Sequence, residues 1–462
     1  MNFMILDLTL LGLFLIFVGI FLYRKRKKIQ REGLLYLYRT SWGIKLIEKT
    51  GKKYKKTLQI LSHVSVWLGY VLMGLMVYLF GKILYIYIFH ADIVRAVKLP
   101  PIMPLIPYLP QMFKLTFLPP FYFSYWIIIL AIIAITHEFF HGIFASIAKV
   151  KTKKTGFGFF PFFLPVFLAA FVELDEKVMI KKSNFKQRAV LSAGTFANTL
   201  TAILGIILMF GFFSLTFSPA GVVYDDYAYN VVNISSINTI NGLPLENYEG
   251  LEKFTTAEII VNGQNYYAVK QLDSSNGLIA LYYDAPAIKQ NISGAILEIN
   301  GEKITSLEKL SMEIEKYSIG ETIFLKTFDG GEIQTKELIL GESPEGNSWL
   351  GVTFLDKKPK GVLATISAWT TSYKKPHIYY KPDWEFTQFI YDFLWWLTLI
   401  SFSVALVNML PMGIFDGGRF FYLTVLAITK SEKKAENASK VLTKIFLFLF
   451  FIIMLFWVKS FF

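Results

Sequence analysis

The chain has 462 residues, of which 54% are hydrophobic, 17% aromatic and only 18% charged, with a mean hydropathy of +0.46. Soluble chains carry about 25% charged residues, so the composition excludes a string of soluble domains and describes a membrane protein. There is no cysteine, which rules out disulfides, thiolate metal sites and a cysteine nucleophile, and there are only five histidines.

A helix needs about 20 mostly apolar residues to cross a bilayer. The first predicted span is 4–23, which lacks the small-residue cleavage site of a signal peptide and reads as a retained helix. Further spans are predicted at 61–89, 121–148, 189–217, 389–410 and 441–458, six in all. Between the third and fourth, Phe157 to Leu174 is an apolar run broken by Pro161 and Pro165. It reads as a re-entrant or interfacial loop, because non-helical backbone at membrane depth must lie against protein or water.

The formal net charge is +13, and its distribution predicts orientation. Residues 24–57 hold 13 Lys and Arg against 2 Asp and Glu, residues 149–188 hold 9 against 3, and residues 416–444 hold 6 against 3. Residues 218–388 reverse the balance, with 14 basic against 22 acidic. With six spans the three basic segments share one side, expected to be the cytoplasm. Both termini and the acidic segment then fall outside the cell membrane. Basic runs that flank spans attract anionic lipid head groups. Without a nucleic-acid motif they predict a lipid bilayer and no nucleic acid as partner.

From about 218 to 360 the apolar runs shorten and turn residues appear, which predicts a β-rich extracytoplasmic unit. Asp284-Ala285-Pro286-Ala287, Gly294 to Gly301, a helix near Leu307–Glu315 and Gly320-Glu321 before a strand together resemble a PDZ domain. Trp349-Leu350-Gly351-Val352 resembles a further strand of it. One clear unit is expected at about 276–357 and a degenerate one at 219–275, where Ile237 to Leu245 echoes the same strand and turn. The resemblance implies capture of an extended peptide ligand at a sheet edge; a cap restricting access to the membrane site is the other reading.

His137-Glu138-Phe139-Phe140-His141 is an H-E-x-x-H motif inside the third span. Positions four apart share a helix face, so both imidazoles can meet one metal ion while Glu138 accepts a proton from water. Ionisable groups at membrane depth are functional by default. Catalytic zinc takes three protein ligands and keeps one position open. His63, His90 and His377 sit near or beyond span ends. The best third ligand is Asp416, at the cytoplasmic end of the fifth span, where Pro411, Gly413 and Gly417-Gly418 break the helix. Taken alone, Asp416 also suits a turn residue ahead of two glycines.

These motifs resemble the site-2 protease family of intramembrane zinc metalloproteases, from about Phe121 to the C-terminus. The resemblance rests on H-E-x-x-H in a span, the segment Asn408…Pro411…Asp416-Gly417-Gly418, and the stretch Phe171 to Glu176. It also rests on Ala193-Gly194-Thr195-Phe196-Ala197-Asn198 in the next span and on the PDZ-like insert. Thr195 departs from it, since many relatives have proline there. The resemblance implies that His137, His141 and Asp416 hold one zinc ion, that Glu138 activates water, and that Asn198 and Asn408 support the substrate or the fold. It implies a transmembrane protein as substrate.

The expected fold is therefore a polytopic α-helical membrane protein with a re-entrant loop and an inserted PDZ-like unit. Residues 1–120 form two helices and a basic loop; 121–217 and 384–462 form the catalytic core around the insert at 218–360. The competing functions are a membrane zinc peptidase with a cytosolic site, and a zinc transporter or receptor scaffold.

Overall fold

The computed structural model describes residues 3–460 except 33–34, 98–99, 102, 160–167, 245–256, 269–276, 357, 360, 362–363, 366–367 and 369. The chain divides into two compact units, residues 1–209 with 389–462, and residues 210–388.

Six helices among the described residues are long and apolar enough to cross a membrane, at the six places where spans are expected. They are α1 (Phe3–Lys25), α3 (Lys55–Phe89), α4 (Phe123–Ile147), α5 (Asn184–Thr216), α6 (Thr387–Asn408) and α8 (Glu432–Lys459); α2 (Ile44–Lys53) and α7 (Asp416–Thr429) are shorter.

The helix carrying the histidine pair is held from both ends by residues that precede it. Asp7 of α1 is fully buried. Its carboxylate accepts the Phe123 and Ser124 backbone N–H groups at 2.7 and 3.0 Å and the Tyr108 hydroxyl at 2.6 Å. The first turn of a helix has no partners for its N–H groups, and a carboxylate there also meets the positive end of the dipole. At the other end α2 packs against α4, with Ile47 seated on Gly142, where a Cβ would come within 2.8 Å of the Ile47 side chain.

A four-stranded antiparallel sheet lies beside α4. Its strands are β1 (Ile29–Glu32), β2 (Leu35–Thr40), β3 (Thr152–Phe159) and β4 (Leu168–Leu174), in that spatial order. The predicted re-entrant loop thus takes the form of the strands β3 and β4, with Pro161 and Pro165 outside the described residues. The hairpin β1–β2 arises within a segment read from sequence as a basic loop. Gln30 and Arg31 of β1 are exposed, and Arg39 of β2 crosses to Glu173 of β4 at 3.1 Å.

The second unit is built on two antiparallel sheets. The first runs Tyr229–Asn233, Leu278–Tyr283, Gln264–Ala268, Ala257–Val261, Ile237–Ile240 and Leu243–Pro244. The second runs Glu332–Ile339, Thr322–Asp329, Ala295–Ile299, Phe217–Val223 and Ile378–Pro382. Each buries its own aliphatic core, Ile240, Ile259 and Leu281 in one and Val222, Ile296 and Ile323 in the other. The strands do not divide at 275/276. Leu278–Tyr283, expected to open the clear PDZ-like unit, pairs within the first sheet, while 217–223 and 378–382 complete the second. Local pattern shows a strand but not which distant strand it pairs with.

Candidate metal centre

The motif helix presents His137 and His141 one turn apart, and α7 brings Asp416 to them. One donor atom from each of the three lies within 4.8 Å of the others. Nε2 of His137 and Nε2 of His141 are 3.0 Å apart, and Oδ2 of Asp416 is 3.4 and 3.3 Å from them. Around a tetrahedral ion with bonds of about 2.0–2.1 Å, neighbouring donors sit roughly 3.3 Å apart. Two nitrogens and one oxygen at these spacings suit zinc and leave one position open.

Asp416 reaches the pair because α6 stops at Asn408 and α7 begins at Asp416 after a tight turn. A Cβ on Gly417 would overlap the Met409 carbonyl, and one on Gly418 the Met412 carbonyl. The two glycines let the new helix start against the turn that precedes it. Gly194 of α5 plays a comparable part: a Cβ there would overlap both imidazoles.

A histidine offers Nε2 to a metal when Nδ1 carries the proton, and a partner on Nδ1 fixes that tautomer. His141 Nδ1 donates to the Val190 carbonyl at 2.7 Å. For His137, the Asn198 Nδ2 lies 3.0 Å from Nδ1, while Oδ1 of the same, fully buried amide has no partner. The two ends of an amide are interchangeable by a half-turn. Turning it lets the oxygen accept from His137 Nδ1–H, moves the unpartnered end to Nδ2, and leaves the His137 Nε2 lone pair for a metal on the side of Asp416. The donor set and its supports therefore fit a zinc ion.

Glu138 sits beside the pair, its Oε2 accepting the Val172 backbone N–H at 2.8 Å. That N–H is turned away from β3, since it is given to Glu138; among the described residues no further strand pairs with β4, whose outer edge lies toward Glu138.

Of the residues singled out in the sequence, His137, Glu138, His141, Asn198 and Asp416 gather here. Asn408 closes α6, partly exposed, and makes no hydrogen bond to the three donors. His63 lies against the Phe185 ring, His90 against Tyr85, and His377 pairs with Asp225 at 3.3 Å. Sequence reasoning missed the Val190 carbonyl, the Val172 N–H and Asp7. Only Asp7 carried a signal, as the one acid in the first apolar span.

The sequence profile of Peptidase family M50 matches residues 125–453, more than two thirds of the chain. No curated protein matches the chain. Among solved structures, the PDZ domain of an SdrC-like protein from Listeria monocytogenes is 24% identical, covering 16% of this chain and 79% of that one, with a TM-score of 0.15. That likeness is too slight to bear on the fold.

Proposed function

The chain belongs to peptidase family M50, the site-2 protease family, and on that premise we propose that it is a zinc protease that hydrolyses peptide bonds within or beside the transmembrane helices of other membrane proteins. The observation that carries this reading is the convergence of His137, His141 and Asp416 donors beside Glu138, at the end of an apolar helix.

Bound by the two Nε2 atoms and the Asp416 carboxylate, zinc would polarise the scissile carbonyl and acidify water in its open position. Glu138 then takes the proton of the attacking water and delivers it to the leaving amine. Asn198 and the Val190 carbonyl keep both imidazoles in the binding tautomer. A helical substrate hides its peptide groups in internal hydrogen bonds, so it must unwind before cleavage. Within β4, the backbone groups of Ala170, Val172 and Leu174 alternate to the outer side, and this edge offers the unwound segment a strand to pair with. Its carbonyl would take the Val172 N–H from Glu138, which frees the base as the substrate arrives.

The basic segments at 24–57, 149–188 and 416–444 support a site facing the cytoplasm, with both termini and the unit at 210–388 outside. For that unit we propose peptide capture at a strand edge. The test of the central reading is metal analysis of Asp416→Asn, which keeps the shape and removes the charge. The reading expects zinc content and cleavage to fall together. Full zinc and full activity in the variant would remove Asp416 from the site.

A further inference from the structure

An apolar cleft, open to its surroundings, adjoins Glu138 on the side of the sheet; about 440 Å³ of empty space lies within it and at its mouth. One wall is Ile135 and Phe139 of α4; another is Phe157, Ala170 and Phe171 of the strands. The third is the corner between β2 and α2, which carries Thr40, Trp42, Gly43 and Ile47. That corner precedes residue 125, so it lies outside the stretch matched to the family.

The corner is a built wall. Gly43 turns the chain in the left-handed region, with φ of 85°, which favours glycine. The buried Thr155 of β3 donates its hydroxyl to the Trp42 carbonyl at 2.6 Å. β2 is paired along β3 from Tyr36 to Thr40. The Trp42 side chain, held at this corner, is 70% exposed.

We infer that this cleft is a specificity pocket that receives one large apolar side chain of the substrate, such as leucine or phenylalanine, next to the bond that is cut. The inference rests on the proteolytic reading above and adds what selects the cleavage site. The occupant follows from position and lining. The cleft opens beside the general base and the outer edge of β4, so an extended segment paired there places a side chain within its reach. Among the described residues of its walls, Glu138 is the one that is charged. An acidic side chain would meet that carboxylate without a partner, at the cost of desolvation. A pocket of this kind separates large from small apolar side chains by about 10- to 200-fold.

The test uses the full-length, zinc-loaded protein and single-span substrates that differ only at one residue beside the scissile bond, carrying Ala, Leu, Phe or Asp. Wild type should favour Leu and Phe over Ala and Asp by about tenfold or more in kcat/KM. Trp42→Ala, which removes an exposed wall, should bring the Leu/Ala ratio close to one. Ala170→Leu, which fills the cleft, should invert it. In Glu138→Gln protein, a photoreactive leucine at the same substrate position should crosslink within residues 40–47. Cleavage by wild type with a ratio that neither variant changes, or crosslinks to lipid in place of that segment, would overturn the pocket while leaving the protease reading intact. No cleavage of any substrate by wild type would overturn the protease reading, and the pocket with it.

Discussion

Where the donor atoms converge, every side chain lies between residues 137 and 416, inside the stretch matched to the family; where the cleft beside Glu138 is walled, Thr40, Trp42, Gly43 and Ile47 come from before that stretch. The metal side is compact in chemistry and strict in geometry, because three donors must meet within bonding distance of one ion. The cleft side is made of apolar surface, whose residue types are interchangeable so long as volume is kept. The metal donors thus lie inside the stretch matched to the family, and one wall of the proposed pocket lies before it.

Substitutions sharpen that contrast in order of effect. Replacing His137 or His141 by alanine should abolish both zinc binding and cleavage, read by metal analysis of the purified protein. A preparation that kept stoichiometric zinc would move the metal elsewhere. Gly194→Ala puts a methyl group where the two imidazoles lie. It should cost zinc affinity more than Asn198→Leu, which removes only the partner of His137 Nδ1 and should weaken zinc by about 10- to 100-fold. Asn198→Asp keeps an acceptor and should retain affinity, as competition with a chelator would show. If Leu and Asp behave alike at 198, the amide does not set the tautomer. The smallest effect is expected at Asp7→Ala, far from the donors. Two backbone N–H groups and a hydroxyl lose their acceptor, at about 1–3 kcal/mol for each that stays buried and unpaired, seen as a lower unfolding temperature in detergent with activity per folded molecule retained.

The same contrast governs how much the sequence revealed. His137 and His141 are legible because their pairing is local, four positions on one helix. Asp416 is legible because two glycines beside an acid interrupt an apolar run. Asn198 stands out as an amide inside a span, yet its partner, 61 positions away, is visible only in the folded chain. The hairpin β1–β2 hides in a basic run, since strand identity depends on β3, more than 100 residues downstream. Spans one and two, outside the residues expected to form the catalytic core, brace it: α1 caps α4 through Asp7, and α3 packs against α5, where Ser65 and Ser192 share a buried hydrogen bond of 2.8 Å.

The central claim is that Glu138, beside a zinc held by His137, His141 and Asp416, drives peptide hydrolysis. Its most direct test is the single-turnover cleavage rate of a single-span substrate by wild type and by Glu138→Gln at equal zinc content. The account predicts that wild type cuts within or beside the span and that the variant is slower by about 10²- to 10⁴-fold. Equal rates, or no cleavage by wild type, would contradict it.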